Sequence, residues 1–392
     1  MTAQSGVLLV TGAYYPELSG AGLQTRSLVR RLNDRVAFLV LTTTTDPSLP
    51  AADTQDGIDV YRIFIDPRRW ASKLLGIVRV TRAFMRASHR FSLVHLHGFS
   101  QKSILLIVLA RLMRKKVAIK LTSMGGDDPL SMRARSRVSF AAFSRADAFF
   151  AVSPAFREAY DAARLPPARF HLIPNGVDVQ RFRPATADER EAVRREVGIP
   201  SSSLVVLFVG FFSREKRPDV LFEAWAAIAR SLAPHSFVLF VGATRSPYYE
   251  IDRELADAIR RRAAERGLAG RLRFIESTHQ IERFHRAADV FVMTSVREGM
   301  PNALLEAMAS GTPCIATRLA GVTDSIIEDG HNGVLVSPDD VAALSQALSA
   351  IIGRPEWAQR IGCEARRTIE TRYNIERTSA TYLDVYQRLM NA

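Results

Sequence analysis

Residues 290–311 read VFVMTSVREGMPNALLEAMASG and contain a strand, a loop and the start of a helix. The apolar run Val290–Met293 has the composition of a buried strand. Pro301 is placed to end the loop and start a helix near Asn302, because proline is tolerated in the first turn of a helix. The stretch therefore predicts a strand that passes directly into a helix, the repeating unit of α/β proteins.

The same alternation of strand and helix continues on both sides of this unit. Continuous Val, Ile and Leu runs, rather than strict alternation with polar residues, indicate strands that are buried on both faces of parallel sheets. The strand candidates are Val7–Val10, Val36–Leu41, Val60–Ile65, Leu93–Leu96, Val117–Leu121, Ala148–Val152, His171–Ile173, Leu204–Val209, Val238–Val241, Leu272–Ile275, Val290–Met293, Cys314–Ala316 and Val334–Val336.

A turn-rich joint, IPNGVD at 173–178, separates two series of strands of similar length. A chain of 392 residues has room for two domains. We therefore expect an α/β protein with a first domain over residues 1–175 and a second over residues 176–374. No strand candidate follows Asp339, so the last helix, about 375–392, is expected to dock on the first domain.

The composition is typical of a globular enzyme, with 47% hydrophobic and 24% charged residues. Two cysteines are too few for a disulfide scaffold or a cysteine-based zinc site. The longest apolar run, Ile104–Ala110, is far shorter than a membrane span, and the first residues lack the charged segment of a secretory leader. We expect a cytoplasmic protein.

The formal net charge of +13 lies almost entirely in the first half: residues 1–180 contain 25 Lys and Arg against 13 Asp and Glu. Such asymmetry favours a polyanionic partner for that half, which could be a membrane surface, a phosphorylated acceptor or a nucleic acid. An arginine-rich surface without a partner is the alternative. The segment Arg68–Arg90 combines eight cations, counting His89, with Trp70 and other apolar residues. It suits a helix on an anionic membrane leaflet, or an ordinary helix that covers a sheet.

Two carboxylates stand out in the opening stretch. Glu298 follows a parallel strand, where open α/β sheets bind ligands, and Glu306 lies about one turn inside the next helix. The N-terminus of that helix is a ready anion site. Carboxylates beside an anion site suit a ligand with hydroxyls and phosphate, such as a nucleotide sugar; the alternative is that Glu298 caps the helix and Glu306 is solvated. The expected ligand-side residues here are Glu298, Gly299, Met300, Pro301, Asn302 and Glu306.

The stretch EGMPNALLEAMASGTPCIAT at 298–317 closely resembles the signature of retaining glycosyltransferases of family 4. Further matches cover about residues 7–390. They are Tyr15-Pro16 with Ser19-Gly20-Ala21-Gly22, LVHLHG at 93–98, AVSPAFRE at 151–158, IPNGVDVQRFRP at 173–184 and VGFFSREKRPDVLFEAW at 209–225.

The resemblance implies a GT-B fold: two Rossmann-like domains with parallel sheets facing across a cleft, and a final helix that crosses back to the first domain. It also implies roles on the donor side. Glu298 would hold hydroxyls of the donor sugar, Glu306 the nucleotide ribose and Lys216 the donor diphosphate. Gly20 would let the backbone approach the donor phosphate. The family often has Arg after the glycine that ends the first strand of the second domain; here Phe211 follows, and Arg214 is expected to supply the charge.

Three residues of the first domain are candidates for the acceptor side. The family often has His after the strand Val117–Leu121, where this chain has Thr122. Asp127 lies in a loop that could bind the acceptor or form a solvated turn. His97 could bind the acceptor, relay a proton or be a structural histidine. No cluster has metal-ligand spacing, so we expect no metal or cofactor, with Lys216, Arg214 and the helix N-terminus taking the place of the metal.

The resulting hypothesis is a metal-independent, retaining hexosyltransferase that moves sugar from a UDP- or GDP-sugar to a hydroxyl of a glycan or lipid-linked glycan. Such a reaction would serve the biosynthesis of surface polysaccharides or glycolipids. The acceptor could lie at the inner membrane face, with the enzyme peripherally bound there. A UDP-sugar epimerase on the same fold is the alternative. A basic nucleic-acid-binding protein is a third, but no base-reading motif accompanies the charge.

Overall fold

A computed structural model describes residues 6–17, 19–230, 236–244, 251–276 and 278–392. Its contacts divide the chain into two compact units. Unit 1 comprises residues 1–176 and 375–392, and unit 2 comprises residues 177–374.

Unit 1 is built on a sheet whose described strands are almost all parallel. These strands are β1 (Gly6–Thr11), β2 (Phe38–Thr44), β3 (Ala52–Gln55), β4 (Ile58–Phe64), β5 (Phe91–His97), β6 (Lys116–Leu121), β7 (Ala148–Ala151) and β8 (Phe170–Leu172). Their order is β3-β4-β2-β1-β5-β6-β7-β8. Every residue of β1 is buried, as the continuous apolar run predicts for a strand with helices on both faces.

Strand β3 is the exception, and the sequence does not predict it. It pairs antiparallel with β4 at the edge of the sheet. Asp56 and Gly57 join the two strands with φ angles of 52° and 80°, as a two-residue hairpin turn requires. The sequence of β3, ADTQ, is polar because the strand alternates between exposed and half-buried positions, so an apolar run gives no signal.

Helices cover this sheet and complete its core. The described helices of unit 1 are α1 (Gly20–Leu32), α2 (Trp70–Ala87), α3 (Gln101–Leu112), α4 (Pro129–Arg135), α5 (Arg137–Phe143), α6 (Ala155–Ala162) and, from the end of the chain, α14 (Ile375–Asn391). Tyr382 and Tyr386 of α14 are buried in one cluster with Val7, Leu28 and Val40. The last helix therefore belongs to the first unit's core, as predicted.

Unit 2 has a second parallel sheet, in the order β11-β10-β9-β12-β13-β14. Its strands are β9 (Leu204–Val209), β10 (Ser236–Val241), β11 (Leu272–Ile275), β12 (Val290–Met293), β13 (Cys314–Thr317) and β14 (Val334–Val336). Its helices in the described residues are α7 (Ala187–Glu196), α8 (Pro218–Ile228), α9 (Arg253–Glu265), α10 (Ile281–Ala287), α11 (Asn302–Ala309), α12 (Val341–Gly353) and α13 (Pro355–Arg372). The predicted α/β class with two Rossmann-like domains is confirmed.

Candidate active site

Two loops of unit 2 bring Lys216 and Glu298 together. Strands β9 and β12 are parallel neighbours, so the loops that follow them leave the sheet at the same edge. Lys216 lies on the loop after β9, and its Nζ atom is 2.5 Å from Oε1 of Glu298 on the loop after β12. The lysine side chain is 31% exposed and the glutamate 11%. The result is a charged pair that is largely sheltered from water yet open on one side.

Backbone contacts fix the two loops to each other. The Thr294 hydroxyl lies 2.8 Å from the carbonyl oxygen of Lys216 and 2.7 Å from that of Arg217. The N–H of Val296 donates to the carbonyl of Glu215 at 2.8 Å. Thr294 is fully buried, and sequence reasoning missed it. Its hydroxyl holds the backbone of Lys216 in the position that meets Glu298.

Helix α11 begins directly behind Glu298. Gly299, Met300 and Pro301 are buried, and Pro301 is the N-cap residue, with no side-chain cap hydrogen bond from the described residues. Asn302 is the first helical residue. Helix α11 thus starts at the edge where Lys216 and Glu298 meet, and anion binding at this start stays a prediction.

Glu306, one turn into α11, has an unexpected neighbour. Its Oε2 lies 3.7 Å from Nε2 of His285 on α10, and the histidine side chain is fully buried. Neither ring nitrogen of His285 has a hydrogen-bond partner within the described residues. The Glu306 side chain itself is 18% exposed, so it is not simply solvated.

Arg214 is placed differently from the expectation. Its Nε lies 3.1 Å from Oδ2 of Asp252, the N-cap of α9, and its side chain is 88% exposed. The structure thus joins Lys216 to Glu298 and pairs Arg214 with Asp252 instead.

In unit 1, Gly20 and Gly22 both lie at the start of α1, and close packing there requires Gly22; the role of Gly20 at a donor phosphate stays a prediction. Gly20 is the first residue of α1, and the Ser19 side chain accepts a hydrogen bond from the N–H of Gly22. A Cβ on Gly22 would lie 2.6 Å from the carbonyl oxygen of Ala13. The close approach of α1 to the loop after β1 therefore depends on Gly22, a requirement that sequence reasoning missed.

His97 ends β5, and its Nδ1 lies 2.9 Å from the hydroxyl oxygen of Thr25. The Thr25 hydroxyl donates to the carbonyl of Ala21, so it accepts from His97, and Nδ1 carries the ring proton. Nε2 has no partner among the described residues and keeps its lone pair. Burial, with the charges of His95 and Lys120, holds the pKa of His97 well below its usual range. The ring is therefore neutral, and its Nε2 atom can accept a hydrogen bond.

Thr122 and Asp127 form one hydrogen-bonded loop beside His97. The Asp127 carboxylate accepts from the N–H and hydroxyl of Thr122 and from the N–H of Ser123. Burial raises the pKa of Asp127 to about 6. The solvated-turn alternative is wrong, because Asp127 is only 4% exposed. A Cβ on Gly98 would lie 3.3 Å from Asp127, so this edge is closely packed.

Lys120, which sequence reasoning passed over, lies beneath this edge. It is 4% exposed, and its Nζ donates to Oδ1 of Asn175 at 2.8 Å. Burial lowers the pKa of Lys120 to about 7. A lysine within the apolar run VAIKL was the available signal, because charged residues are rarely buried without a reason.

Comparison with known proteins settles the family. The sequence profile of "Glycosyl transferases group 1" matches residues 189–368, and that of "Glycosyl transferase 4-like domain" matches residues 19–176. The alpha-maltose-1-phosphate synthase of Mycolicibacterium smegmatis is 30% identical over 281 residues, which are 69% of each chain. The chain belongs to glycosyltransferase family 4.

A second relative and a solved structure are also similar to this family 4 glycosyltransferase. The D-inositol 3-phosphate glycosyltransferase of Saccharomonospora viridis is 33% identical over 238 residues, which are 59% of this chain. The chain spans about half the length of that relative, 52%. The crystal structure of Anabaena HepE in complex with UDP and glucose has the same fold, with a TM-score of 0.79 at 20% identity, and covers 98% of this chain and 100% of that one. The predicted GT-B fold is confirmed.

Helix α2 of this glycosyltransferase presents two apolar faces. Gly76, Val80, Phe84 and Ala87 are buried against unit 1. A second set of apolar side chains on α2 is exposed: Trp70 (74%), Leu74, Leu75, Ile77, Val78 and Met85. The two interpretations of this segment are thus compatible, because one face covers the sheet and another remains open.

Among the described residues, no group of three or more His, Cys, Asp or Glu side chains is arranged to hold a metal ion. No helix within the described ranges combines the length and apolarity needed to span a membrane.

Proposed function

We propose that the protein transfers a hexose from a nucleoside diphosphate sugar to a hydroxyl group of an acceptor, with retention at the anomeric carbon and without a metal. The observation that carries this proposal is the 2.5 Å contact between Lys216 and Glu298 at the carboxyl edge of β9 and β12. Family membership supports it independently.

The pair supplies both kinds of recognition that a sugar nucleotide needs. The ammonium of Lys216 offsets the negative charge that develops on the departing diphosphate, and the start of α11 adds backbone donors. The carboxylate of Glu298 accepts hydrogen bonds from sugar hydroxyls, while Glu306 takes the ribose hydroxyls. Without donor, Lys216 and Glu298 neutralise each other; the donor offers each of them a replacement partner.

A UDP-sugar is the first donor to test, because the structurally similar HepE is described with UDP and glucose. GDP-sugars are the second. Lys216 is the principal cation in this proposal, and Arg214 is a weaker second one because it is exposed and paired with Asp252.

The acceptor side is proposed at the carboxyl edge of β5 and β6 in unit 1. There His97 offers Nε2 as a hydrogen-bond acceptor for a sugar hydroxyl, and the buried Thr122–Asp127 loop gives this edge a fixed form. The acceptor is proposed to be a glycan or lipid-linked glycan. Two relatives are named for phosphorylated compounds, inositol 3-phosphate and maltose 1-phosphate, which supports including phosphorylated acceptors in the test.

The test measures release of UDP or GDP in the presence of EDTA, with each donor and a panel of acceptors. Glu298→Gln and Lys216→Ala should each lower turnover by about 10² or more, since each removes one preorganised charge contact. Glu265→Gln, at the exposed end of α9, is the control and should retain wild-type turnover. Full activity in both site variants contradicts the proposal. Conversion of the donor without an acceptor would indicate an epimerase.

We also propose that α2 attaches the enzyme to an anionic membrane, where a lipid-linked acceptor would be found. Its exposed stripe contains Trp70, Leu74 and Ile77, and α2 has no acidic residue. Apolar residues beside arginines suit the interface of an anionic leaflet. Trp70→Ser/Leu74→Ser/Ile77→Ser should reduce co-sedimentation with phosphatidylglycerol vesicles about tenfold or more, because binding strength scales with the apolar area that is buried. Equal sedimentation of this variant and the wild type contradicts the attachment.

A further inference from the structure

A groove in unit 1 lies between α2 and the β3–β4 edge of the sheet. Its volume is about 860 Å³, within the usual range for small-molecule sites. The sheet side of the groove is largely apolar and includes Ala52, Ile63 and Phe64. From the helix side, Ala83 adds to the apolar wall. The groove is thus a place for a ligand with an apolar part, separate from Lys216 and Glu298.

One wall of the groove carries a row of arginines. Arg79, Arg82 and Arg86 are spaced by three and four residues, so their side chains extend from the same face of α2. Each is exposed, and none has an ion-pair or hydrogen-bond partner within the described residues. By contrast, Arg26 and Arg30 on α1 both contact Asp56. The groove therefore holds positive charge that the described protein does not neutralise.

A buried arginine, paired with Asp53, also borders the groove. Arg62 of β4 lines the groove and is 1% exposed. It contacts Asp53 at 3.3 Å and the carbonyl of Tyr15 at 2.5 Å, but its Nε has no partner among the described residues. The free positive charge of the groove therefore comes mainly from the three exposed arginines of α2.

We propose that this groove binds the phosphodiester headgroup of an anionic membrane phospholipid. The phosphate lies against Arg79, Arg82 and Arg86, because guanidinium groups match phosphate oxygens in charge and geometry. The glycerol and the first acyl carbons lie along Ile63, Phe64 and other apolar residues of the wall. A free phosphate ester would leave that wall unused, so an amphiphile is the better complement. The inference rests on the proposed attachment of α2 to membranes.

The arrangement of α2 supports a lipid occupant. The exposed apolar stripe with Trp70 and Ile77 runs along the same helix as the arginine row, on an adjacent face. A helix that lies at the interface with this stripe buried places its neighbouring arginines at the depth of the phosphates. The stripe would hold the enzyme on the bilayer, and the groove would select the headgroup.

The first experiment measures binding of full-length protein to phosphatidylcholine vesicles with and without phosphatidylglycerol. Arg79→Gln/Arg82→Gln/Arg86→Gln should weaken binding to the anionic vesicles about 100-fold, since each basic residue near such a surface contributes about 1 kcal/mol. Arg261→Gln/Arg360→Gln/Arg367→Gln removes the same charge from exposed positions of unit 2 and should bind like the wild type. If both triple variants bind equally, the groove is not a headgroup site, but the proposed attachment of α2 to the membrane is unaffected. Failure of the wild type to bind any vesicle overturns the attachment as well.

A second experiment separates a built site from diffuse attraction. Ala83→Trp fills the groove without changing charge, and should abolish binding of monomeric short-chain phosphatidylglycerol, followed by NMR. Unchanged binding in this variant overturns the groove. Glycerol 3-phosphate is the soluble probe: if it binds the wild type as tightly as the short-chain lipid, the occupant is a free phosphate ester and the lipid assignment is wrong. Transfer to a soluble acceptor should stay at wild-type level in every groove variant, whatever the outcome for the lipid.

Discussion

The hydroxyl of Thr294 lies 2.8 Å from the backbone carbonyl of Lys216, although 78 residues separate them in sequence. This contact joins the loop after β12 to the loop after β9, and so sets the position of the lysine against Glu298. The geometry of the candidate site thus depends on a buried residue that would not itself touch a ligand in the proposed reaction.

Thr294→Val should therefore impair catalysis as well as stability. It leaves the carbonyls of Lys216 and Arg217 without their buried donor, which costs about 1–3 kcal/mol of unfolding free energy. A small displacement of Lys216 should lower kcat/KM by about 10- to 100-fold. Donor-release kinetics and urea unfolding measure the two effects. Thr294→Ser keeps the hydroxyl and should restore both; a Thr294→Val enzyme with reduced stability but wild-type kinetics would refute the positioning role.

Arg214→Gln should be much milder than Lys216→Ala. The Arg214 guanidinium is 88% exposed and contacts Asp252, and an exposed ion pair contributes about 0–1 kcal/mol. We therefore expect kcat/KM for nucleotide release to fall less than about fivefold, against about 10² for Lys216→Ala. Comparable losses in the two variants would show that Arg214 leaves Asp252 for the donor diphosphate when substrate binds.

The sequence could predict most of the strands because they are continuous apolar runs that become buried, as in β1, β9 and β10. Strand β3 escaped prediction because it is a polar edge strand, defined by its partner β4 rather than by its own composition. The contact between Lys216 and Glu298 depends on β9 and β12 being neighbours. Local sequence does not determine that order, so the two residues could be assigned to one ligand only through the family resemblance.

The contacts made by Thr294, Gly22 and His285 could not be predicted from the sequence. Thr294 acts through a loop distant in sequence, Gly22 acts through close backbone packing although it belongs to one of the family motifs, and His285 lies near Glu306 from another helix. His97, Thr122 and Asp127 were named one by one, and the structure brings them to neighbouring strand ends. Which acceptor they would meet depends on side-chain chemistry that neither the strand pattern nor the fold contains.

Gly242→Ala should severely destabilise unit 2. Gly242 has a φ of 148°, and a Cβ there would lie 2.0 Å from the carbonyl oxygen of Gly210 at the end of the neighbouring strand. Relief of that clash requires the backbone to move, so we expect a loss of more than about 3 kcal/mol, or no folded protein. Gly270→Ala is the matched control, because nothing lies within 4 Å of its added Cβ. Similar melting temperatures for the two variants would contradict the packing argument.

Lys120 should make stability increase with pH above neutrality. Burial lowers its pKa in the folded protein to about 7, from 10.5 for an unperturbed lysine. Between these values the unfolded chain binds more protons than the folded one, so the free energy of unfolding rises as the pH rises. From pH 7.5 to 9.5 the contribution of Lys120 should be about 2 kcal/mol.

The comparison with Lys120→Met isolates this effect. Burial holds the pKa values of the neighbouring His95 and His97 well below their usual range and raises that of Tyr382, so none of the three changes charge between pH 7.5 and 9.5. Urea unfolding at the two pH values should show that the variant's stability rises less with pH than the wild type's, by that same amount. Lys116→Met, at the half-buried start of β6, should follow the wild-type curve. Parallel curves for Lys120→Met and the wild type would mean that Lys120 keeps its proton throughout this range, because Asn175 stabilises the ammonium more than burial destabilises it.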